Sequence, residues 1–70
     1  MRTHRYRITI AGYLGETFRE AFTGFVIERN GPDTVLGGDL DQAALYGALN
    51  RILSLGLELV EVHRADDDTS

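Results

Sequence analysis

The chain has no cysteine, no lysine and no tryptophan, and a single proline among its 70 residues. Without cysteine, disulfides and thiolate metal sites are excluded as sources of stability. That matters at this length, because a domain of this size buries only about 60% of the surface its unfolded chain exposes. Dense packing or association has to supply the rest. No apolar run approaches the roughly 18 residues that a bilayer span requires. The basic N-terminus, MRTHRYRITIAG, has no long apolar stretch behind it, so no signal peptide is expected. A cytoplasmic location is the expectation that follows.

All seven cationic residues are arginine, set against eleven acids for a net charge of −4. Arginine without lysine, with abundant Ala, Gly and Asp, suggests a GC-rich bacterial genome. An acidic chain is poorly suited to general nucleic-acid binding, which draws its affinity from phosphate attraction. The charges are segregated, with Arg2, His4, Arg5 and Arg7 at the front and Asp66, Asp67 and Asp68 at the back. Solvated ends account for both groups. Residues 1–64 read as one domain and 65–70 as an acidic flexible tail.

Residues 5–11 read as a first strand: Tyr6, Ile8 and Ile10 point one way, Arg5, Arg7 and Thr9 the other, and Gly12 ends it. Leu14, Phe18 and Phe22 recur at intervals of four, which predicts a short helix of about two turns closed by Thr23 and Gly24. Strands follow at 25–29 and 34–38, joined through Asn30-Gly31-Pro32-Asp33, a strong hairpin signal. That loop sets Arg29 opposite Thr34, Ile27 opposite Leu36 and Phe25 opposite Gly38.

The second helix is the best marked element. Asp41 suits the N-cap, and Leu40 with Leu45 form a hydrophobic staple around it. Asp39 with Gln42 offers an alternative cap two residues earlier. Leu45, Ala48, Leu49, Ile52 and Leu53 make the apolar stripe, and Gly56 supplies the left-handed stop. Gly47 inside the helix costs up to about 1 kcal/mol against alanine, which close approach of a strand or a partner would offset. Residues 57–63, LELVEVH, read as the last strand, with Leu57 and Leu59 on one face and Val60 and Val62 on the other. A strand apolar on both sides usually has both sides covered.

The fold class expected is α+β, a ferredoxin-like βαββαβ arrangement with a four-stranded antiparallel sheet and two helices on one face, the first helix short. First and last strands then lie side by side, with Arg5 and Arg7 near Glu58 and Glu61 and His4 near His63.

This element order, with the turn Gly12-Tyr13-Leu14-Gly15 after the first strand, loosely resembles the ACT regulatory domains. The resemblance implies a small effector held near Gly12, Tyr13, Leu14 and Gly15, and pairing of sheets or helices between subunits. The chain departs from that family in lacking Asp-x-x-Gly at the turn. The segment LDQAALYGALNRILSLGLELVEV also looks like the C-terminal half of short uncharacterised proteins of actinobacterial type.

Each candidate for chemistry has a plainer structural explanation. His4 and His63 with Glu61 make too few ligands for a metal, so none is expected. Asp39 and Asp41 flank a helix start, where capping and the dipole favour acids. Gly37 and Gly38 lack the spacing of a phosphate-binding turn, and Arg5 and Arg7 lack the exposed aromatics of an RNA-binding sheet. Tyr46 beside the apolar stripe suits a rim better than proton transfer. No catalytic residue and no cofactor is expected. The function that follows is a non-enzymatic homo-oligomeric interaction module, with a protein partner as a variant, and Val60, Val62, Tyr46 and Gly47 at its interface. The alternatives are an ACT-like ligand-binding module and a small dimeric enzyme of isomerase, cyclase or cofactor-free oxygenase type.

Overall fold

The structure is a computed structural model describing residues 2–65. Strand β1 (His4–Ile10) leads through Leu14 into a single helical turn, α1 (Glu16–Arg19), continued by a 3-10 turn over Glu20–Phe22. Strands β2 (Val26–Asn30) and β3 (Asp33–Leu40), helix α2 (Gln42–Ser54) and strand β4 (Leu59–Arg64) follow. The four strands form one sheet in the order β2-β3-β1-β4, every neighbouring pair antiparallel. This is an α+β architecture whose strand order is compatible with a ferredoxin-like fold. The expected tail over 65–70 falls, apart from Ala65, outside the described residues. No helix among them is long and apolar enough to cross a membrane.

The sheet has two unlike faces. Toward the helices it presents Ile8, Ile10 and Leu36, which join Leu14, Phe22, Leu45, Ala48 and Ile52 in one buried cluster. The opposite face carries Arg5, Arg7 and Thr9 of β1, registered with Asp39, Gly37 and Val35 of β3. Val35 is buried there without belonging to the core cluster. Its neighbours across the ladder are Thr9 and Glu28, which flank it in place of apolar packing.

The hairpin forms in the expected register, Arg29 opposite Thr34 and Ile27 opposite Leu36, and tightens to a two-residue loop. Gly31 takes a positive φ of 61° at the first loop position, where two-residue hairpins commonly require it. β3 runs longer than the sequence pattern indicates, through Gly37 and Gly38 to Leu40. Gly38 matters here because the ring of Phe25 lies over it: an added Cβ would sit 3.5 Å from Phe25 Cδ1. Phe25 in turn meets Phe22 edge to face at 6.1 Å. The first crossover is therefore held by aromatic packing more than by helix length, as its one α-turn requires.

Both ends of α2 are closed by named groups. Asp41 Oδ1 accepts from the Ala44 amide at 2.7 Å. The alternative cap is overturned because Asp39 lies within β3, its carboxylate 3.2 Å from Arg5 Nε. At the other end Gly56 N–H donates to Leu53 and Leu57 N–H to Ile52, both at 3.1 Å, the paired bonds of a Schellman motif. Asp41→Ala is expected to cost about 1 kcal/mol, read as a lower urea midpoint with an unchanged denaturant slope.

The last strand departs from simple alternation. Glu61 pairs with Thr9, but Leu59, two residues earlier, pairs with Ile10, so the ladder shifts by one at Val60. This bulge places Leu59 and Val62 on the same side of the sheet, opposite the core-facing Ile10 and Ile8. The expectation that they point to opposite faces is corrected accordingly. Leu57 lies before the strand, packed against the core beyond the helix stop.

Candidate functional site

The turn after β1 commits most of its groups to the fold. Gly12, at a positive φ of 89°, donates its amide to Asp33 Oδ1 at 3.3 Å and accepts from the buried Thr34 hydroxyl at 2.8 Å. Leu14 is a core residue at 2% exposure. Gly15 is the N-cap of α1, its carbonyl accepting from the amides of Phe18 and Arg19. Only Tyr13 presents a side chain outward, two-thirds exposed, with the Arg29 guanidinium carbon 4.9 Å from its ring centre. The four residues are contiguous, but the surface they offer is that one tyrosine and its arginine.

A second region lies on the flank of α2 that faces β4. Arg51 donates to the Ala21 carbonyl, so that flank of α2 faces the first crossover. Tyr46 stands roughly 140° away around the helix at 3.6 residues per turn. With Gln42 it borders a surface hollow shared by His4, Tyr6 and Arg64, on the β4 side. The Tyr46 hydroxyl accepts from Gln42 Nε2 at 3.2 Å. Leu53, two helical turns further along the same flank, is 65% exposed and Tyr46 54%. On the strand beside them Leu59, Val60 and Val62 are exposed to 37%, 51% and 38%. The ladder partners of Leu59 and Val62 on β1, Ile10 and Ile8, are fully covered. The helix layer thus covers β1 and leaves β4 half bare.

Of the four expected interface residues, Tyr46 and Val62 fall on the sides where α2 and β4 adjoin, and Val60 is the bulged residue between Leu59 and Glu61. Gly47 does not approach a strand: an added Cβ there meets nothing within 4 Å. Of the strand or partner expected to offset its cost, the strand is overturned, because Gly47 follows Tyr46 by one residue and turns away from the core. Gly47→Ala should raise stability by about 0.5–1 kcal/mol through helix propensity alone, measured by thermal melting. A drop instead would place a close neighbour at that position. Leu53 and Leu59 extend the band beyond the sequence reading, which set Leu53 in the core stripe.

The polar candidates separate. His4 is registered with Leu40 and meets Tyr6 edge to face, whereas His63 is registered with Arg7 on the other side of the sheet. The expected neighbourhood of the two histidines is overturned by that parity. Arg5 pairs with Asp39 and not with Glu58, whose carbonyl accepts from the Ala11 amide just before β4 begins. Gly37 and Gly38 lie inside β3 and form no turn before a helix. Among the described residues no group of three or more His, Cys, Asp or Glu is placed to hold a metal ion. On the polar face a shallow hollow is bordered by Arg5, Arg7, Val26, Glu28, Gly37 and Asp39. Its charges of both signs single out no ligand.

The chain belongs to a family defined by a domain of unknown function, DUF8691, whose model matches residues 5–63. No curated protein and no solved structure matches it.

Proposed function

We propose that this member of the DUF8691 family is a non-enzymatic cytoplasmic module that works by associating with copies of itself, built on a ferredoxin-like βαββαβ unit. The observation behind this reading is the apolar band of Tyr46, Leu53, Leu59 and Val62 beside the edge strand β4. Isolated exposed apolar residues are ordinary, but such residues grouped beside the edge strand of a sheet mark an interaction surface. A 70-residue chain without disulfides also gains stability from a bound copy by mass action. The reactive side chains reinforce the reading, since the two histidines lie on opposite sides of the sheet while Asp39 and Asp41 serve an ion pair and a cap. Light scattering coupled to gel filtration is expected to give at least twice the monomer mass at micromolar concentration. A mass of one chain throughout that range overturns the proposal.

The exposed pair Tyr13 and Arg29 favours the ACT-like alternative, in which a small effector stacks on the ring. A thermal-shift screen against amino acids and nucleotides tests it. A response abolished by Tyr13→Ala supports that reading, and no response counts against it.

A further inference from the structure

We infer that Asn30 is a site of self-modification. The Gly31 amide nitrogen closes on the Asn30 side chain, ammonia leaves, and water opens the resulting imide to an aspartyl or isoaspartyl residue at the tip of the β2-β3 hairpin. The site lies at the opposite edge of the sheet from β4, so it is independent of the association proposed above.

Nothing is oxidised or reduced, and water is the sole co-reactant. A bond forms between Gly31 N and Asn30 Cγ. The bond from Cγ to the carboxamide nitrogen breaks, and ammonia departs with the proton that Gly31 gives up. Water then adds to either imide carbonyl. Cleavage at Cγ leaves aspartate on a normal backbone, whereas cleavage at the main-chain carbonyl routes the backbone through the side chain. Asparagine is among the thermolabile residues, and attack from the next residue is intramolecular, with the advantage that proximity brings.

The hairpin leaves this route open. Asn30 and Gly31 are both exposed, and glycine offers the least hindered main-chain nitrogen. The turn is closed by the pair Asn30 and Asp33, whose own N–H and C=O groups make its hydrogen bonds. The Gly31 N–H therefore serves neither the ladder nor, among the described residues, another backbone hydrogen bond. Arg29 Nη2 donates to the Gly31 carbonyl at 3.4 Å. That positive charge beside the loop favours loss of a proton from the nucleophile. The attack also requires Asn30 to leave its extended conformation, which breaks one rung at the end of an outer strand. Such ends open at far lower cost than a core does.

Asn50, the only other asparagine in the chain, supplies the contrast. It is exposed as well, but it lies within α2 and precedes Arg51. The Arg51 amide is bound in the helical ladder, and its side chain crowds the nitrogen. Exposure alone does not select Asn30; the free glycine amide beside it does.

Conversion loosens the hairpin. Residue 30 faces Asp33 across the ladder, so an aspartyl product sets carboxylate against carboxylate, which destabilises an antiparallel pair. Asp33 is already engaged: its Oδ1 accepts from the Gly12 amide at 3.3 Å, and the adjoining Thr34 hydroxyl donates to the Gly12 carbonyl at 2.8 Å. The disturbance thus reaches the turn that leads to Leu14 in the core. An isoaspartyl link goes further, because it adds a main-chain atom where the tight loop fixes the register.

The folded protein is incubated in warm, mildly alkaline buffer beside a synthetic peptide of residues 26–35. Trypsin cuts after Arg29 and Arg51, so one fragment carries both asparagines and tandem mass spectrometry compares them directly. Asn30 is expected to lose its carboxamide and give aspartyl and isoaspartyl forms, while Asn50 keeps its own. Equal loss at both positions, or an intact Asn30 after the free peptide has converted, overturns the inference. The effect on the fold is read from Asn30→Asp, which should melt at a lower temperature than the parent. Adding Asp33→Asn should restore the melting temperature, because it removes the opposed charge and still offers Gly12 a carbonyl oxygen. An Asn30→Asp chain that melts with the parent, or a loss that the second substitution does not reverse, overturns the opposed-carboxylate effect.

Discussion

Phe22→Ala should remove a large share of the chain's stability, about 3–5 kcal/mol. Phe22 is buried to 99% in a 3-10 turn of three residues and meets Phe25 edge to face. Truncating a buried phenylalanine costs about 3–5 kcal/mol, the lost transfer energy plus a cavity that neighbours only partly fill. Native domains hold about 0.05–0.15 kcal/mol per residue, which for a chain of this length is roughly 4–10 kcal/mol in total. The loss is severe at the lower end of that range because α1 cannot stand alone: one helical turn has no stability apart from the ring that pins it. Urea unfolding followed by circular dichroism, at low protein concentration so that association adds little, measures the effect. A variant keeping nearly all of the parent stability would show that the first crossover is secured by something other than this ring.

Leu14→Ala is the second large effect, expected to cost about 2–5 kcal/mol as a buried leucine truncated in the core. Its neighbour offers the contrast. Tyr13 is exposed and its stacking with Arg29 contributes about 0.5–1 kcal/mol at such a site, so Tyr13→Ala should change stability by no more than that. The pair of variants separates two roles within one turn. If Leu14→Ala left stability nearly untouched, the side chain would not be the core anchor its burial implies. The place of this turn in a ligand site would then need reconsideration.

Where local chemistry decides the structure, the sequence was enough to read it. Asp41 caps α2 because a carboxylate one step before a helix finds a free amide, and Gly56 stops it because the stop needs a positive φ. The hairpin register followed from the Asn-Gly-Pro-Asp loop length, which admits one alignment of Ile27 with Leu36.

The parts that escaped depend on neighbours distant in sequence. Nothing in LELVEVH marks Val60 as surplus: strict alternation and a one-residue bulge are equally compatible with its composition. The choice is made by β1, where Ile8 and Ile10 both need apolar partners. Leu53 is a similar case. Helical periodicity gives the direction in which a side chain points, but the width of the buried stripe depends on how far the sheet extends beneath it, and here cover runs out over β4. Asp39 looked like part of a helix start because the residues that pull it into β3, Arg5 above all, lie 34 positions earlier. The candidate surface was therefore legible at Tyr46 and Val62 and invisible at Leu53 and Leu59.

The bulge at Val60 has a bearing on solubility. A margin of leucine and valine along a sheet edge invites lateral accretion of strands, the route by which sheet proteins turn into fibrils. A kink near one end shortens the straight portion to a few residues, too little template for a foreign segment of six or seven to lie flat along it. One inserted residue thus lets the chain keep a sticky border while restricting who can use it.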